Sequence, residues 1–366
     1  MCQDRLAELG WDSFFMDHFK SSMVDGCVPA RVIAVGKHSY QVYSQYGEFP
    51  ARVSGRMRYE SRAGDRYPSV GDWVIIMPNT DEQKGLIYAV LPRRSCFSRK
   101  MSDDRARRSG SLTREQVLAA NVDTVFIVSG LDGSRNLNLR RLERYLTLAW
   151  ESGAVPVIVL NKADLCPDVD ACIRDVEPVA LGVPIHAVSA TERSGLDALE
   201  TYLTRGKTTV FLGASGVGKS ALLNALLGIE RQEVGEVRST DRKGRHTTTR
   251  RELVLLPSGG AVIDTPGLRE VQMWADEDSL GSAFEDIEWL SRECRFRDCT
   301  HHSEPGCAVK AAIQQGSLDT ARLQSYRKLG KELRHLAARE DIRTRLEDKA
   351  KWKKISKWSR WYSENL

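Results

Sequence analysis

Residues 213–220 read GASGVGKS, a spacing of glycines, lysine and serine that is suited to binding a phosphate chain. They follow the apolar run TTVFL and precede the helix-like run ALLNALLG, the strand-to-helix context that a P-loop requires. Its glycines let backbone N–H groups close around phosphates at the amino end of the helix. We therefore predict a nucleotide-binding loop made of Gly213, Ala214, Ser215, Gly216, Val217, Gly218, Lys219, Ser220 and Ala221.

Two side chains of this loop have distinct expected roles. Lys219 is expected to reach the β and γ phosphates, and the Ser220 hydroxyl to ligate Mg²⁺. The spacing by itself also arises by chance. The strand before the loop and the helix after it make phosphate binding the preferred interpretation.

A guanine-recognition motif, Asn161-Lys162-Ala163-Asp164, comes directly after the apolar run VPVIVL. Ligands in parallel sheets bind beyond the carboxyl ends of the strands, where this motif would lie. The Asp164 carboxylate can accept hydrogen bonds from the guanine N1–H and exocyclic amine, which adenine does not offer in that arrangement. The alternative is a polar turn after a strand. We predict that Asn161, Lys162 and Asp164 bind the base.

A short segment after the run PIHAV adds to this motif. Ser189-Ala190 resembles the backbone segment that contacts the guanine O6 in GTPases, although the dipeptide means nothing in isolation. We include Ser189 and Ala190 among the predicted nucleotide-binding residues because they accompany the other two motifs.

A switch segment is predicted at Asp264-Thr-Pro-Gly267, which follows the apolar run AVI. Asp264 would bridge to Mg²⁺ and the Gly267 N–H would meet the γ-phosphate. Upstream, residues 244–249 read GRHTTT and offer hydroxyls for the metal, with Thr248 and Thr249 as the candidates. The alternative for this upstream segment is a mobile solvated loop, which is compatible with a switch.

The catalytic group is expected outside the usual position. Leu268 follows DTPG, where many GTPases place a glutamine that orients the attacking water. Leucine cannot hydrogen-bond water, so another polar group must do so. His246, within GRHTTT, is our candidate catalytic residue. A solvated residue or an RNA contact is the alternative for this histidine.

The order of these motifs is rotated. The guanine motif and Ser-Ala come first, then the P-loop, the threonine segment and DTPG, whereas most GTPases begin with the P-loop. The rotation is physically easy, because residues 204–207 suffice to join the preceding helix to the strand before the P-loop.

A metal centre is predicted from Cys294, Cys299, His301 and Cys307. Three thiolates and one imidazole form a closed tetrahedral set that is typical of structural zinc. A redox cluster or buried free thiols are the alternatives, and His302 is an adjacent alternative ligand.

The elements that must position these residues follow from the hydrophobic pattern. Five short alternating runs between 26 and 95 predict an OB-like barrel, after a helical extension over 1–25. Alternating strands and helices over 116–275 predict a parallel sheet covered by helices. A basic linker over 96–115 joins the two, and 276–366 is expected to form a mainly helical, zinc-binding domain with a basic tail.

Composition limits the possible partners. The 366 residues are 41% hydrophobic, and no apolar run approaches the length of a membrane helix. The amino terminus has no basic segment followed by an apolar core, so we expect a cytoplasmic protein without a membrane partner.

The net charge is +5, yet residues 327–360 alone hold 13 Lys or Arg against 5 Asp or Glu. This tail and the basic linker are candidate polyanion contacts, although basic helices are also often merely solvated.

Together, the barrel, NKAD, GASGVGKS, GRHTTT, DTPG and CRFRDCTHHSEPGC resemble the circularly permuted, ribosome small-subunit-dependent GTPase A family (RsgA) along nearly the whole chain. The resemblance implies a multidomain protein with an OB-fold, a permuted α/β P-loop GTPase domain and a zinc domain. It also implies GTP and GDP as ligands, Mg²⁺ with GTP, one structural Zn²⁺, and the small ribosomal subunit with its rRNA as partner. We expect a monomeric GTPase that assists late subunit maturation and is released by hydrolysis. The alternative is an RNA-binding assembly factor with nucleotide as a mainly structural ligand.

Overall fold

The computed structural model describes residues 2–22, 25–36, 39–60, 67–79, 83–101, 114–133, 137–228, 251–264 and 277–334. The chain divides into two compact units, Met1–Met273 and Trp274–Leu366. Several predicted residues and segments lie outside the described residues: His246, Thr248, Thr249, Gly267, linker residues 102–113 and the tail from 335.

Most of the strands belong to one mixed sheet. Within the described residues the strands are β1 Val28–Val35, β2 Tyr40–Ser44, β3 Gly47–Val53, β4 Trp73–Asn79, β5 Lys84–Val90, β6 Cys96–Met101, β7 Arg114–Ala120, β8 Thr124–Gly130, β9 Val155–Asn161, β10 Ile185–Ala187, β11 Thr208–Leu212, β12 Arg251–Leu255 and β13 Ala261–Asp264.

The described helices are between 5 and 15 residues long. Within the described residues they are α1 Cys2–Glu8, α2 Ser13–Ser21, α3 Gly55–Glu60, α4 Leu139–Glu151, α5 Val169–Val176, α6 Leu196–Glu200, α7 Lys219–Leu227, α8 Glu277–Ala283, α9 Glu285–Ser291, α10 Ala308–Gln314 and α11 over 320–334. None of the helices in these described ranges is long and apolar enough to cross a membrane.

Strands β1 to β5 close into the predicted five-stranded barrel. The strand β1 pairs with both β2 and β4, which removes the sheet edge, and β3 runs parallel to β5. Alternating side chains point inward and fill the interior, among them Val32, Val42 and Ile76, each fully buried. Period-two alternation of apolar residues therefore predicted this architecture correctly.

Strands β8 to β13 form the predicted parallel sheet in the order β10-β9-β8-β11-β13, with β12 antiparallel at its end, while β6 and β7 form a separate two-stranded sheet. The strand β8 is buried along its whole length, as expected of a strand covered on both faces. The barrel is not a separate body, because β12 also pairs with β1 through Ala34↔Glu252 and Val35↔Arg251. The sheet therefore continues from the barrel into the P-loop region.

Two segments have structure that the sequence did not indicate. The amino-terminal segment forms two helices, because Gly10 adopts φ +85° and a Cβ there would lie 2.6 Å from the Gly206 carbonyl oxygen. The chain turns at this close approach, and Asp12 then caps α2 by accepting from the Phe14 amide. The segment 96–115, predicted as a basic linker, begins in β6 and ends in β7, which pair with each other antiparallel. Its ends are therefore strands.

A buried arginine joins the parts of the first unit. The guanidinium of Arg31 donates to the carbonyl oxygens of Leu9, Gly71 and Asn121, with distances of 3.2 Å to Gly71 and 3.1 Å to Asn121. Burial lowers the pKa of Arg31 to about 10, which leaves it charged at neutral pH. One cation thus connects the helical extension, the barrel and the turn before β8.

The second unit has its own small core. Phe284, Ile287 and Val309 are fully buried in it. Arg322 forms an ion pair with Asp286 at 2.5 Å, and its guanidinium lies 4.7 Å from the centre of the Phe284 ring. These contacts hold α11 against the start of α9.

Candidate nucleotide site and metal centre

The predicted nucleotide-binding segments meet at one edge of the parallel sheet. The guanine motif begins at Asn161, the last residue of β9, and Ser189 follows β10. The P-loop follows β11, and Asp264 ends β13. Because these strands are parallel, their carboxyl ends lie side by side, which is where ligands bind in such sheets.

Asn161 connects three of the segments. Its Nδ2 donates to the Val217 carbonyl oxygen at 2.9 Å, and its Oδ1 accepts from the Ala190 amide at 3.1 Å. The side chain is buried, with 2% of the residue surface exposed. A single amide therefore holds the guanine motif against both the P-loop and the Ser-Ala segment.

The P-loop has glycine where no side chain fits. A Cβ on Gly213 would lie 2.5 Å from the Val128 carbonyl oxygen, and one on Gly218 would lie 2.2 Å from the Asn161 amide nitrogen. Gly218 also adopts φ +94°, a conformation that suits glycine, immediately before α7 begins at Lys219. The sequence thus builds a tight backbone loop at a helix amino terminus, the arrangement that binds phosphates.

The ammonium group of Lys219 lies inside the curve of this loop. Its Nζ donates to the carbonyl oxygens of Gly213 at 2.8 Å and Ala214 at 2.5 Å. The lysine is therefore folded back over the loop that precedes it, where its charge faces the same concave backbone as the loop amides.

The guanine motif turns sharply after β9. Lys162 adopts φ +64°, and residues Ala163–Leu165 form a short 3₁₀ turn that leaves Asp164 exposed. The Lys162 Nζ forms an ion pair with Asp132 at 2.5 Å. No sequence motif indicated Asp132, although it follows the end of β8 in the same way that the other motifs follow their strands.

The Ser-Ala segment is held by its own hydrogen bonds. Ser189 and Ser194 exchange two backbone hydrogen bonds at 3.0 and 3.1 Å, which closes a small loop. Arg193 within this loop donates to the Ala225 carbonyl oxygen near the end of α7, at 2.9 Å. Arg193 therefore ties the Ser-Ala loop to the P-loop helix, a contact that no sequence motif indicated.

The predicted magnesium residues are described in part. Ser220 lies in the first turn of α7, and Asp264 lies at the end of β13, next to β11 through the pairing Val210↔Ile263. These two residues lie on adjacent elements at the same sheet edge. The candidate residues Thr248 and Thr249 belong to a part of the chain outside the described residues, so their roles stay predictions.

A cavity of about 440 Å³ lies away from this edge, at the amino ends of the parallel strands. Two of the cations in its lining already pair with acids, since Arg94 meets Asp12 at 2.6 Å and Lys207 meets Asp123 at 3.1 Å. These charges balance locally. The cavity is thus a poor site for a polyphosphate.

The four predicted metal ligands come together in the second unit. The ligand atoms of Cys294, Cys299, His301 and Cys307 all lie within 4.8 Å of one another. The Cys294 and Cys307 sulfurs are 3.9 Å apart, and they lie 3.7 and 3.4 Å from the His301 Nδ1. Tetrahedral zinc with its usual bond lengths would space such atoms by about 3.5 to 3.8 Å. The donor set therefore fits a four-coordinate metal.

The surroundings of the cluster favour metal binding through His301. Its Nε2 is hydrogen-bonded to Ser291 Oγ at 3.1 Å, which orients the ring and directs Nδ1 to the sulfurs. Burial raises the pKa of the Cys294 thiol, but hydrogen bonds from the Val309 and Ala308 amides and with the Cys299 and Cys307 thiols together outweigh burial, and the net shift is downward. The alternative ligand His302 is exposed.

The loop between the ligands is braced by Glu304. Its carboxylate accepts from the amides of Thr300 at 2.9 Å and Ser303 at 3.0 Å, and from the Thr300 hydroxyl. The hydroxyl contact is the main reason why the pKa of Glu304 falls to about 2.

Known proteins are similar in sequence to this chain along nearly its whole length. Residues 90–274 match the family described as RsgA GTPase. A small ribosomal subunit biogenesis GTPase RsgA from Opitutus terrae is 45% identical over 359 residues, covering 96% of this chain and 95% of the relative. The protein of the same name from Syntrophotalea carbinolica is 42% identical over 363 residues, covering 98% of both chains.

Solved structures show the same fold. YjeQ from Thermotoga maritima is 28% identical with a TM-score of 0.63, covering 84% of this chain and 98% of YjeQ. YloQ, described as a circularly permuted GTPase, is 25% identical with a TM-score of 0.60, covering 85% of this chain and 96% of YloQ. The motif order and the shared fold agree with these matches. The chain belongs to the RsgA GTPase family.

Proposed function

We propose that this protein hydrolyses GTP to GDP and phosphate while bound to the small ribosomal subunit, assists late subunit maturation, and is released by hydrolysis. The observation that carries the proposal is the junction at Asn161, which joins the guanine motif, the Ser-Ala segment and the P-loop through two buried hydrogen bonds. The relatives named as small ribosomal subunit biogenesis GTPases support the choice of subunit.

Base selection is assigned to Asp164 and its neighbours. The exposed carboxylate of Asp164 is available to accept from the guanine N1–H and exocyclic amine. The Lys162 stem, held by Asp132, would line one face of the base, and the Ser189-Ala190 backbone would meet the guanine O6. This arrangement rejects adenine, which lacks the matching donors.

Phosphate binding is assigned to residues 213–221 and Lys219 in particular. A phosphate chain would replace the Gly213 and Ala214 carbonyls as partner of the Lys219 ammonium. Ser220, Asp264 and the hydroxyls of Thr248 or Thr249 would hold Mg²⁺, with the Gly267 amide on the γ-phosphate. When bound, the metal neutralises charge on the phosphate oxygens.

We assign the orientation of the attacking water to His246. The water oxygen attacks the γ-phosphorus, the bond to the β–γ bridging oxygen breaks, and GDP leaves with that electron pair. Leu268 cannot hydrogen-bond the water, which is why a side chain from the threonine segment is needed. We propose that the bound subunit brings His246 into reach of the water.

Zinc is the metal that we propose for the Cys294, Cys299, His301 and Cys307 cluster. Three thiolates and one imidazole fill a tetrahedral shell and leave no open position for catalysis, so the role is structural. The spacing of the sulfurs and the histidine nitrogen supports this choice.

Contact with the subunit is assigned to rRNA phosphates. The basic segments over 93–114 and 327–360 carry the excess positive charge that a polyanion contact requires. We propose that the protein works as a monomer in the cytoplasm, with no membrane partner.

Sedimentation with purified small subunits tests the proposal. The protein should travel with the subunit in the presence of a non-hydrolysable GTP analogue and dissociate in GDP. With GTP, the complex should decay as hydrolysis proceeds. A complex that persists equally in all three nucleotides would instead support an assembly factor for which nucleotide is a structural ligand.

A further inference from the structure

Two cysteines follow the guanine motif in the sequence. The sulfurs of Cys166 and Cys172 are 3.7 Å apart, and both residues are partly exposed. Cys166 comes two residues after Asp164, and Cys172 lies in the first turn of α5. The pair lies outside the metal cluster and takes no part in the nucleotide site as described above.

The local backbone holds the two thiols in this arrangement. Cys166 is extended, with φ −100° and ψ 123°, the conformation that Pro167 favours in the residue before it. Asp168 then caps α5 by accepting from the Ala171 amide at 2.9 Å, which fixes the start of the helix that carries Cys172. The two side chains are thus directed at each other by a proline and a helix cap.

We propose that Cys166 and Cys172 are a reversible oxidation site that forms a disulfide when the protein meets a peroxide. The thiolate of one cysteine attacks a peroxide oxygen, the O–O bond breaks, and hydroxide leaves to give a sulfenic acid. The second thiol attacks that sulfur, forms the S–S bond and displaces water. With hydrogen peroxide as oxidant, two thiols are oxidised and two molecules of water are produced.

Formation of the disulfide would move the turn that carries Asp164. A disulfide needs the sulfurs about 2.05 Å apart, so the pair must close from its separation of 3.7 Å. The Cys166 amide donates to the Ala163 carbonyl oxygen at 3.1 Å and closes the 3₁₀ turn around Asp164. Oxidation is therefore expected to displace the turn and weaken guanine-nucleotide binding. This consequence rests on the proposed role of Asp164, whereas disulfide formation does not.

A single tryptic peptide reports on the site. Cleavage after Lys162 and Arg174 releases residues 163–174, which hold both cysteines and no other. After treatment of the full chain with hydrogen peroxide, this peptide should lose about 2 Da and resist alkylation, and a thiol reductant should reverse both changes. Cys166→Ser and Cys172→Ser are the matched controls, and neither should show the loss of mass.

Two outcomes would overturn the oxidation site. One is a peptide that stays fully alkylated at a peroxide concentration that oxidises the half-buried Cys96 elsewhere in the chain. The other is separate oxygen addition to each sulfur without a disulfide.

The GDP affinity of the oxidised protein is measured as a separate test. The link to Asp164 is supported if oxidation lowers this affinity, if reductant restores it, and if neither serine variant shows the change. Unchanged affinity despite a formed disulfide refutes that link while leaving the oxidation site intact.

Discussion

Replacing Asn161 with alanine removes a side chain that is hydrogen-bonded to both the P-loop and the Ser-Ala segment. The Val217 carbonyl oxygen would lose its donor and the Ala190 amide would lose its acceptor. Both residues are buried, with exposed fractions of 0% and 9%, so water cannot readily replace either partner. The two segments should therefore separate more easily, even without nucleotide.

The expected loss of stability at this junction follows from the two buried groups that lose their hydrogen-bond partners. An unsatisfied buried donor or acceptor costs about 1 to 3 kcal/mol, which gives about 2 to 6 kcal/mol for the pair. Asn138→Ala is the matched control, because Asn138 is exposed and makes one cap contact, to the Arg141 amide at 3.1 Å. Loss of such a cap costs about 1 kcal/mol.

Hydrogen exchange followed by mass spectrometry measures the effect locally. In nucleotide-free protein, peptides covering 186–195 and 208–218 should exchange at least about 30-fold faster in Asn161→Ala, which corresponds to about 2 kcal/mol. Peptides from the barrel should be unaffected. Exchange in these two segments that matches wild type, or that changes no more than in Asn138→Ala, would refute the view that Asn161 joins them.

Three further predictions address the base, the metal and pH. Asp164→Asn should lower GTP affinity and favour xanthine nucleotides in a competition assay; an unchanged preference for GTP would remove Asp164 from base selection. Elemental analysis should find one zinc per chain, and Cys299→Ser or a chelator should destabilise the second unit while GDP binding is kept; a fully folded metal-free protein would contradict this. Because the pKa of Glu304 is lowered to about 2, its stabilising contribution is present above the ordinary carboxyl pKa and is lost as pH falls toward 2. The difference in melting temperature between wild type and Glu304→Gln should shrink from about pH 5 to pH 3, and a constant difference would argue against the brace.

Sequence indicates the local context of contiguous motifs more readily than the contacts between distant segments. A P-loop needs its residues in a fixed order between a strand and a helix, and the structure has Gly213 and Lys219 in that context. Contacts between distant segments could not be found this way. The pairing of Lys162 with Asp132, and of Arg193 with the end of α7, depends on which strands become neighbours.

The fold shows the same division between local pattern and tertiary contact. Alternation of apolar residues predicted the barrel strands because each strand has one buried face. The pairing of β1 with β12 has no local signal, since it joins segments more than two hundred residues apart in the sequence. The break at Gly10 was also missed, because its cause is the close approach of Gly206 from another part of the chain.

GTP turnover with and without purified small subunits tests the central claim most directly. Free protein should hydrolyse GTP slowly, and small subunits should accelerate turnover, whereas large subunits and free rRNA should not reproduce the effect. His246→Ala should lose the accelerated rate but keep GTP affinity and subunit binding. Turnover that small subunits leave unchanged would contradict a subunit-dependent GTPase, and full acceleration in His246→Ala would remove that histidine from catalysis.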